Sequence, residues 1–170
     1  MQNQTQSWPN FLIRAATNDD LPQLQLIRQA AFTPVFASFR AILGDEIAAV
    51  TQANDDAEQA DYLASLFAPD SGWELYTAVL SDKIVGFVSV QLNDKTGVGE
   101  IGLNAVHPEA AGQGIGTALY QFALDRMKAA GMRVATVGTG GDPSHAPARR
   151  AYEKVGFSAQ IPSVYMYRLL

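Results

Sequence analysis

Residues 104–119 read NAVHPEAAGQGIGTAL and are the most informative segment of the chain. A strand-like apolar run ends at Val106, and three alternate glycines then precede an amphipathic, helix-like segment. Glycine removes the side chain where a ligand approaches the backbone, and the first N–H groups of a helix have no intrahelical acceptor. Those donors and the helix dipole favour an anion. The segment therefore predicts a strand, a turn that can hold a pyrophosphate, and a helix.

Other glycine-rich binding sites differ from this turn in spacing. A dinucleotide-binding fold uses Gly-x-Gly-x-x-Gly in its first strand-helix unit, whereas the third glycine here comes one residue early and past mid-chain. A Walker loop needs Gly-Lys-Ser/Thr, and Gly116-Thr117 has no lysine. No serine stands in Gly-x-Ser-x-Gly, the serine-hydrolase elbow. One alternative stays open, namely a tight turn whose glycines only let the helix pack against the sheet.

Hydrophobic periodicity predicts a single mixed α/β domain around this segment. We find no repeat, low-complexity tract or linker that divides the chain, so the domain spans 1–170, with a flexible N-terminus at 1–10. The predicted elements, in order, are a strand at 11–16, helices across 17–67 with a break at Gly44, three antiparallel strands within 74–106, a helix reaching Met127, a strand at 132–137, a helix at 147–155 and two closing strands within 157–170.

Composition and charge exclude several classes of protein. The apolar runs are too short to span a bilayer and the first residues lack a secretory pattern, so we expect no membrane partner and a cytoplasmic location. The absence of cysteine excludes disulfides, thiolate metal clusters and a cysteine-bound acyl intermediate. A formal net charge of -5 argues against nucleic acid as a partner.

Two separated segments resemble the GNAT family of acetyltransferases. Residues 104–119 resemble its acetyl-CoA motif, usually written Arg/Gln-x-x-Gly-x-Gly/Ala. Residues 145–157, HAPARRAYEKVGF, resemble its Asn-x-x-Ala-x-x-x-Tyr-x-x-x-Gly-Phe segment. Ala111 stands where the family has Arg or Gln, and His145 stands where it has Asn. The separation of the two segments and the order of the elements fit the family over nearly the whole chain.

The resemblance implies a fold and a co-substrate. The GNAT fold is a central twisted, mostly antiparallel sheet of about seven strands with one splayed parallel pair, flanked by about four to five helices. Here the strands ending at Val106 and at Val137 would form the pair, and the pantetheine of acetyl-CoA would lie between them. No metal is implied. The implied cofactor-binding residues are Asn104, Ala105 and Val106 on the strand, Ala111, Gly112, Gln113, Gly114, Ile115, Gly116 and Thr117 in the turn, and His145, whose alternative role is to cap the helix.

The resemblance also implies two catalytic residues. Tyr152 matches the family tyrosine that protonates or hydrogen-bonds the departing thiolate, and a phenol with a pKa of ~10 is protonated at neutral pH. The alternative is an aromatic that only packs. Glu100 resembles the general base of the histone-acetyltransferase branch; otherwise it is an exposed carboxylate at a strand end. The period of two puts Glu100, Gly102 and Asn104 on one strand face, with Glu100 about 13 Å from Asn104, so that it would act through water unless a bulge shortens the path.

The implied function is direct transfer of an acetyl group from acetyl-CoA to a primary amine of a small molecule or peptide in a ternary complex. Acidic residues between Asp45 and Asp61 favour a cationic acceptor, or else form a solvated face. A homodimer stays open. A second hypothesis is a non-catalytic acyl-CoA-binding or sensor domain, which the departures at Ala111 and His145 permit. A third, an ATP-dependent enzyme, is disfavoured by the missing Walker lysine.

Overall fold

A computed structural model describes residues 6–8 and 11–170. Of the predicted flexible N-terminus, residues 6–8 form a strand, and the other residues of 1–10 lie outside the described part of the chain. The strands are β1 Gln6–Trp8, β2 Phe11–Ala15, β3 Trp73–Leu80, β4 Lys83–Asn93, β5 Val98–Val106 and β6 Val134–Val137. The helices are α1 Leu21–Leu43, α2 Asp45–Thr51, α3 Asp55–Ser65, α4 Ile115–Ala129 and α5 Ala146–Lys154.

The strands form one mixed sheet in sequence order. Neighbours from β1 to β5 are antiparallel, and β5 and β6 are parallel. The predicted mixed α/β class is confirmed. The described residues contain six strands, however, not about seven.

The two closing strands predicted within 157–170 are wrong. Residues after Gly156 have no regular secondary structure, and the apolar side chains of the last ten residues are exposed, with Ile161 at 97% and Tyr165 at 87%. Their alternation gives strand propensity, but a strand is stable only when it pairs with another and buries a face. This segment does neither.

The helices cover the two faces of the sheet. On the face called here the α4 face, Val88, Val90 and Ile101 pack with α4 and α5. On the opposite face, called the α1 face, Leu75 and Phe87 pack with α1 and α3. The alternation of side chains along each strand produces both cores, because successive residues point to opposite faces.

Helix α1 is continuous and ends at the predicted break, Gly44, whose φ of 78° suits glycine. Its Arg28 is only 3% exposed. The guanidinium donates to Asp56 at 2.8 Å and to Gln59 at 3.2 Å, and so fastens α3 to α1.

None of the helices in the described residues has both the length and the apolar character needed to cross a membrane.

A β-bulge divides β5. Val90 pairs with Ile101 and Val88 pairs with Asn104, so two residues of β5, Gly102 and Leu103, lie opposite one residue of β4. An inserted residue reverses the alternation of all residues beyond it. The prediction that Glu100 shares a strand face with Asn104 is therefore wrong, since Asn104 lies on the α4 face with Ile101 while Glu100 faces α3.

The parallel pair separates at the same point. Strand β6 pairs with Val98–Ile101 of β5 and ends at Val137, opposite Ile101. Residues 102–106 of β5 continue beyond it, paired with β4 but without a partner on β6. We call this side of residues 102–106 the open edge. It is the gap that a splayed parallel pair requires.

Candidate active site

The glycine turn presents a run of unpaired N–H groups at the start of α4. Gly112 and Gly114 have φ values of 78° and 80°, in the left-handed region that glycine adopts readily. The first helical bond runs from the Ala118 N–H to the Gly114 carbonyl at 2.9 Å. Within the described part of the chain, no acceptor contacts the N–H groups of residues 112–117. A β-carbon added to Gly112 or Gly114 would have no atom within 4 Å, so the turn faces open space. This arrangement suits a pyrophosphate.

The open edge of β5 leads directly to that turn. A β-carbon on Gly116 would lie 3.7 Å from Cγ2 of Val106, so the end of the strand and the first turn of α4 are in contact. The backbone of Asn104, Ala105 and Val106 and the N–H groups of the turn therefore form one continuous polar path. An extended ligand that pairs with the strand can place an anionic group at the helix start.

Three side chains meet where the open edge begins. Nδ2 of Asn104 donates to the Tyr152 hydroxyl at 3.1 Å, and the Tyr120 hydroxyl donates to Oδ1 of Asn104 at 2.8 Å. The rings of Tyr120 and Tyr152 lie 4.4 Å apart between centroids. The structure thus joins two residues predicted for the site, Asn104 and Tyr152. Tyr120 was missed, although it lies one helical turn after Gly116 and so faces the strand end.

Both tyrosines stay protonated at neutral pH. Burial raises the pKa of Tyr152, and the polar side chains of Tyr120 and Asn104 beside its hydroxyl only partly oppose this rise. Burial likewise raises the pKa of Tyr120 well above its usual value, as does the proximity of Tyr152. Tyr152 is 5% exposed. Its hydroxyl can therefore act as a proton donor but not as a base.

Glu100 lies on the other face of the sheet. It is half-buried and close to Tyr62 of α3, whose pKa is raised first by burial and then by the charge of Glu100. The structure does not bring the Glu100 carboxylate together with the side chains of Asn104 and Tyr152, because the bulge separates them. Glu100 instead belongs to the surface between β5 and α3.

His145 belongs to a network that links the segment after β6 to α1. Its Nδ1 lies 2.6 Å from Oδ1 of Asp142, and its ring stacks on Phe39 with centroids 5.7 Å apart. The other carboxylate oxygen accepts from the Ser38 hydroxyl at 2.8 Å and from the Ser144 N–H at 3.0 Å. The side chain of His145 makes no hydrogen bond that caps α5. It therefore holds the segment in place, and the predicted contact with a cofactor stays a prediction.

The ionisation of Asp142 fixes the histidine tautomer. Burial by itself raises the pKa of Asp142, but hydrogen bonds from Ser144, Ser38 and His145 outweigh it and hold the pKa well below the usual range. A carboxylate only accepts, so Nδ1 of His145 carries the proton. The Ser144 hydroxyl lies at the same nitrogen, 3.3 Å away. A catalytic triad needs its serine and its carboxylate at opposite ring nitrogens, so this cluster is not one.

Both the sequence and the fold of this chain resemble those of known proteins. Residues 36–157 match the family model described as Acetyltransferase (GNAT) family. None of the curated proteins matches the chain in sequence. A putative GNAT-family acetyltransferase from Desulfovibrio desulfuricans is 21% identical, with coverage of 89% of this chain and 87% of that chain and a TM-score of 0.66.

Two further solved structures carry ligands. A GNAT family acetyltransferase from Brucella melitensis in complex with acetyl-CoA is 23% identical, with 88% of this chain and 83% of that chain covered and a TM-score of 0.58. An aminoglycoside acetyltransferase from an uncultured soil metagenomic sample, in complex with sisomicin, is 18% identical, with coverage of 94% and 96% and a TM-score of 0.57. At these identities the structural likeness shows the fold, whereas the family match covers most of the chain. This chain belongs to the GNAT family of acetyltransferases.

Proposed function

We propose that the protein transfers the acetyl group of acetyl-CoA directly to a primary amine of a small molecule or a peptide. One observation carries the proposal: the end of β5 combines an unpaired strand edge, a turn of free N–H groups and a buried, protonated tyrosine. The strand edge would hold pantetheine, and the turn would hold pyrophosphate. The tyrosine would protonate the departing thiolate. The absence of cysteine favours direct transfer, because no cysteine can carry the acetyl group.

The binding residues proposed for acetyl-CoA act mainly through their backbone. The pyrophosphate would accept hydrogen bonds from the N–H groups of residues 112–117, and pantetheine would pair with β5 at residues 104–106. Ala111 has no side chain to donate, but a backbone site does not need one. The acidic net charge is consistent with this mode, since oriented N–H groups bind an anion without neighbouring lysines.

Acetyl-CoA supplies an acetyl group activated as a thioester. When the amine nitrogen bonds to the carbonyl carbon, a backbone N–H at or next to Asn104 would stabilise the developing oxyanion. The carbon–sulfur bond then breaks, and the Tyr152 hydroxyl gives its proton to the sulfur. The proton that the amine loses would pass to Glu100 through water, or directly to water. The products are the N-acetylated amine, an amide, and the free thiol of coenzyme A.

The surface near α2 and α3 supports a cationic acceptor. Its carboxylates are exposed except that of Asp55, which is half-buried. Asp45 pairs with Arg40 and Asp56 pairs with Arg28. A cationic amine would be attracted to such a field before it loses its proton. A structural neighbour that binds the aminoglycoside sisomicin carries an acceptor of this kind on the same fold. The acidic residues of this surface are Asp45, Glu46, Asp55, Asp56, Glu58 and Asp61.

Thiol release tests the proposed function. The purified protein is incubated with acetyl-CoA and one primary amine at a time, from a panel of polyamines, aminoglycosides and short peptides. We expect amine-dependent release of free coenzyme A and an amine product heavier by one acetyl group. The mass of the enzyme after incubation with acetyl-CoA alone should be unchanged. A stable acetyl-enzyme would contradict direct transfer, and binding of acetyl-CoA without turnover on any amine would favour the sensor domain.

A further inference from the structure

The side chain of Asn104 uses all its polar atoms within the protein. In addition to its bonds with Tyr120 and Tyr152, its Nδ2 donates to the carbonyl of Gly102 at 2.8 Å. A carbonyl oxygen only accepts, so the atom that faces Gly102 must be the amide nitrogen, and the flipped amide would place two oxygens together. The bulge carbonyl therefore fixes which end of Asn104 faces each tyrosine.

This orientation gives the two tyrosine hydroxyls different tasks. Tyr120 donates its hydrogen to Oδ1 of Asn104, so that hydrogen is already used. The oxygen of Tyr152 accepts a hydrogen bond from Nδ2 of Asn104. That bond does not involve the hydroxyl hydrogen of Tyr152. Of the pair, only Tyr152 keeps a proton that it can direct at a substrate. Tyr120 is 6% exposed and packs against the ring of Tyr152.

We propose that Tyr120 is a positioning residue for acetyl transfer, acting through Asn104 to aim the Tyr152 hydroxyl and to stabilise its anion. The inference rests on the proposed function and deepens it. Tyr120 touches neither co-substrate nor amine in this account. It lies on α4, whereas Tyr152 lies on α5 and Asn104 on β5, so the contact holds three elements in register at the open edge.

The physical need for this support comes from burial. When Tyr152 gives its proton to the sulfur, it becomes a phenolate in a site with little water, and such a charge is costly without hydrogen bonds. The N–H of Asn104 donates to that oxygen, and a bond to a charged acceptor is stronger than a neutral one. The hydroxyl of Tyr120 keeps the amide in line. Tyr152 regains a proton from water, and the attacking amine releases one proton to water. The protons therefore balance over the cycle.

A double-mutant cycle tests the inference. The variants Tyr120→Phe, Tyr152→Phe and their combination are compared with the unchanged protein for kcat and for the KM of acetyl-CoA. We expect Tyr120→Phe to lower kcat about tenfold, the effect of about one hydrogen bond, with KM unchanged. In the Tyr152→Phe background the same change should have no further effect, because Tyr120 acts only through the lost hydroxyl.

Tyr76→Phe is the matched control. Tyr76 is also 6% exposed and lies on the α4 face, but its hydroxyl donates to Glu74. We expect its kcat to equal that of the unchanged protein. Asn104→Leu gives a second route if Tyr120→Phe does not fold, and it should show the same lack of additivity with Tyr152→Phe.

The outcomes separate the inference from the proposed function. If Tyr120→Phe turns over like the unchanged protein, or if its loss multiplies with that of Tyr152→Phe, Tyr120 does not act through Tyr152 and the inference is wrong while the proposed function stands. If the unchanged protein releases no thiol with any amine of the panel, the proposed function fails and the inference fails with it.

Discussion

The two halves of β5 differ in how many neighbouring strands they pair with. From Val98 to Ile101 the strand is paired on both sides, and Ile101 is 1% exposed. From Gly102 to Val106 it keeps β4 but lacks a partner on β6. The first half is core, and the second half is the proposed binding edge. The bulge marks the boundary, because the regular alternation of β5 ends at the same point where the parallel strand stops.

The largest expected effect comes from removing the Tyr152 hydroxyl, the proposed proton donor beside the second half of β5. Tyr152→Phe should lower kcat at least a hundredfold, in the usual range of about 10²–10⁴ for loss of a general acid. Its ring contacts with Tyr120 and Phe157 remain, so the affinity for acetyl-CoA should hardly change. The free energy of unfolding should fall by about 1 kcal/mol, because Nδ2 of Asn104 loses an acceptor. Steady-state kinetics and urea unfolding measure the two effects. Full activity in the variant would remove Tyr152 from the chemistry.

A pair of glycine substitutions compares the two halves directly. A β-carbon on Gly102 would lie 2.7 Å from Oγ of Ser89 and against the ring of Trp73, whereas one on Gly99 would meet the flexible side chain of Met127, with Sδ 2.6 Å away. We expect Gly102→Ala to lower the free energy of unfolding by about 1–3 kcal/mol and also to lower kcat, since the bulge must shift. Gly99→Ala should cost less stability and leave kcat unchanged. Equal losses of kcat would mean that the bulge has no special part in activity.

A second pair tests whether the glycine turn binds the ligand or only turns the chain. Gly114 and Gly131 have φ values of 80° and 78°, and a β-carbon on either would meet no atom within 4 Å. Alanine at either position should therefore cost about 1–2 kcal/mol of stability through backbone strain. Only Gly114→Ala should raise the Kd for acetyl-CoA, by several-fold, in a calorimetric titration. A similar Kd for both variants would favour the turn that serves packing alone.

The smallest expected effect concerns acid stability beside the gap. Because the folded protein holds the pKa of Asp142 below the ~3.9 of an unfolded chain, the carboxylate stabilises the fold fully above that pH. This contribution should be lost as the pH falls through the lower, folded pKa. Asp142→Asn should be less stable than the unchanged protein at pH 7, and the difference should shrink at pH 3. Urea unfolding at both pH values measures it, and a constant difference would contradict the assignment.

Local patterns predicted the parts of the site that depend on local sequence. The glycines of residues 112–116 and the helix that follows are contiguous, so the turn and its donors could be inferred from spacing. The parallel pair followed from the resemblance carried by residues 104–119 and 145–157 together. Tyr152 and Asn104 were placed in the site for the same reason, and the structure brings their side chains together.

The errors arose where the structure depends on distant pairing. The alternation of side chains with a period of two does not reveal the extra residue of β5 opposite Ser89. Glu100 was therefore assigned to the wrong face of the sheet. Tyr120 resembles any core aromatic of an amphipathic helix until Asn104 is seen beside it. The alternating segment from Ile161 onward has strand propensity, but whether it pairs depends on an edge elsewhere in the molecule.

The most direct test of the central claim is a calorimetric titration of the purified protein with acetyl-CoA, coenzyme A, NAD and ATP. We expect one acetyl-CoA to bind per chain, free coenzyme A to compete for the same site, and neither NAD nor ATP to bind with similar affinity. Failure to bind acetyl-CoA, or equal binding of ATP, would contradict the assignment of the open edge and the glycine turn to this co-substrate.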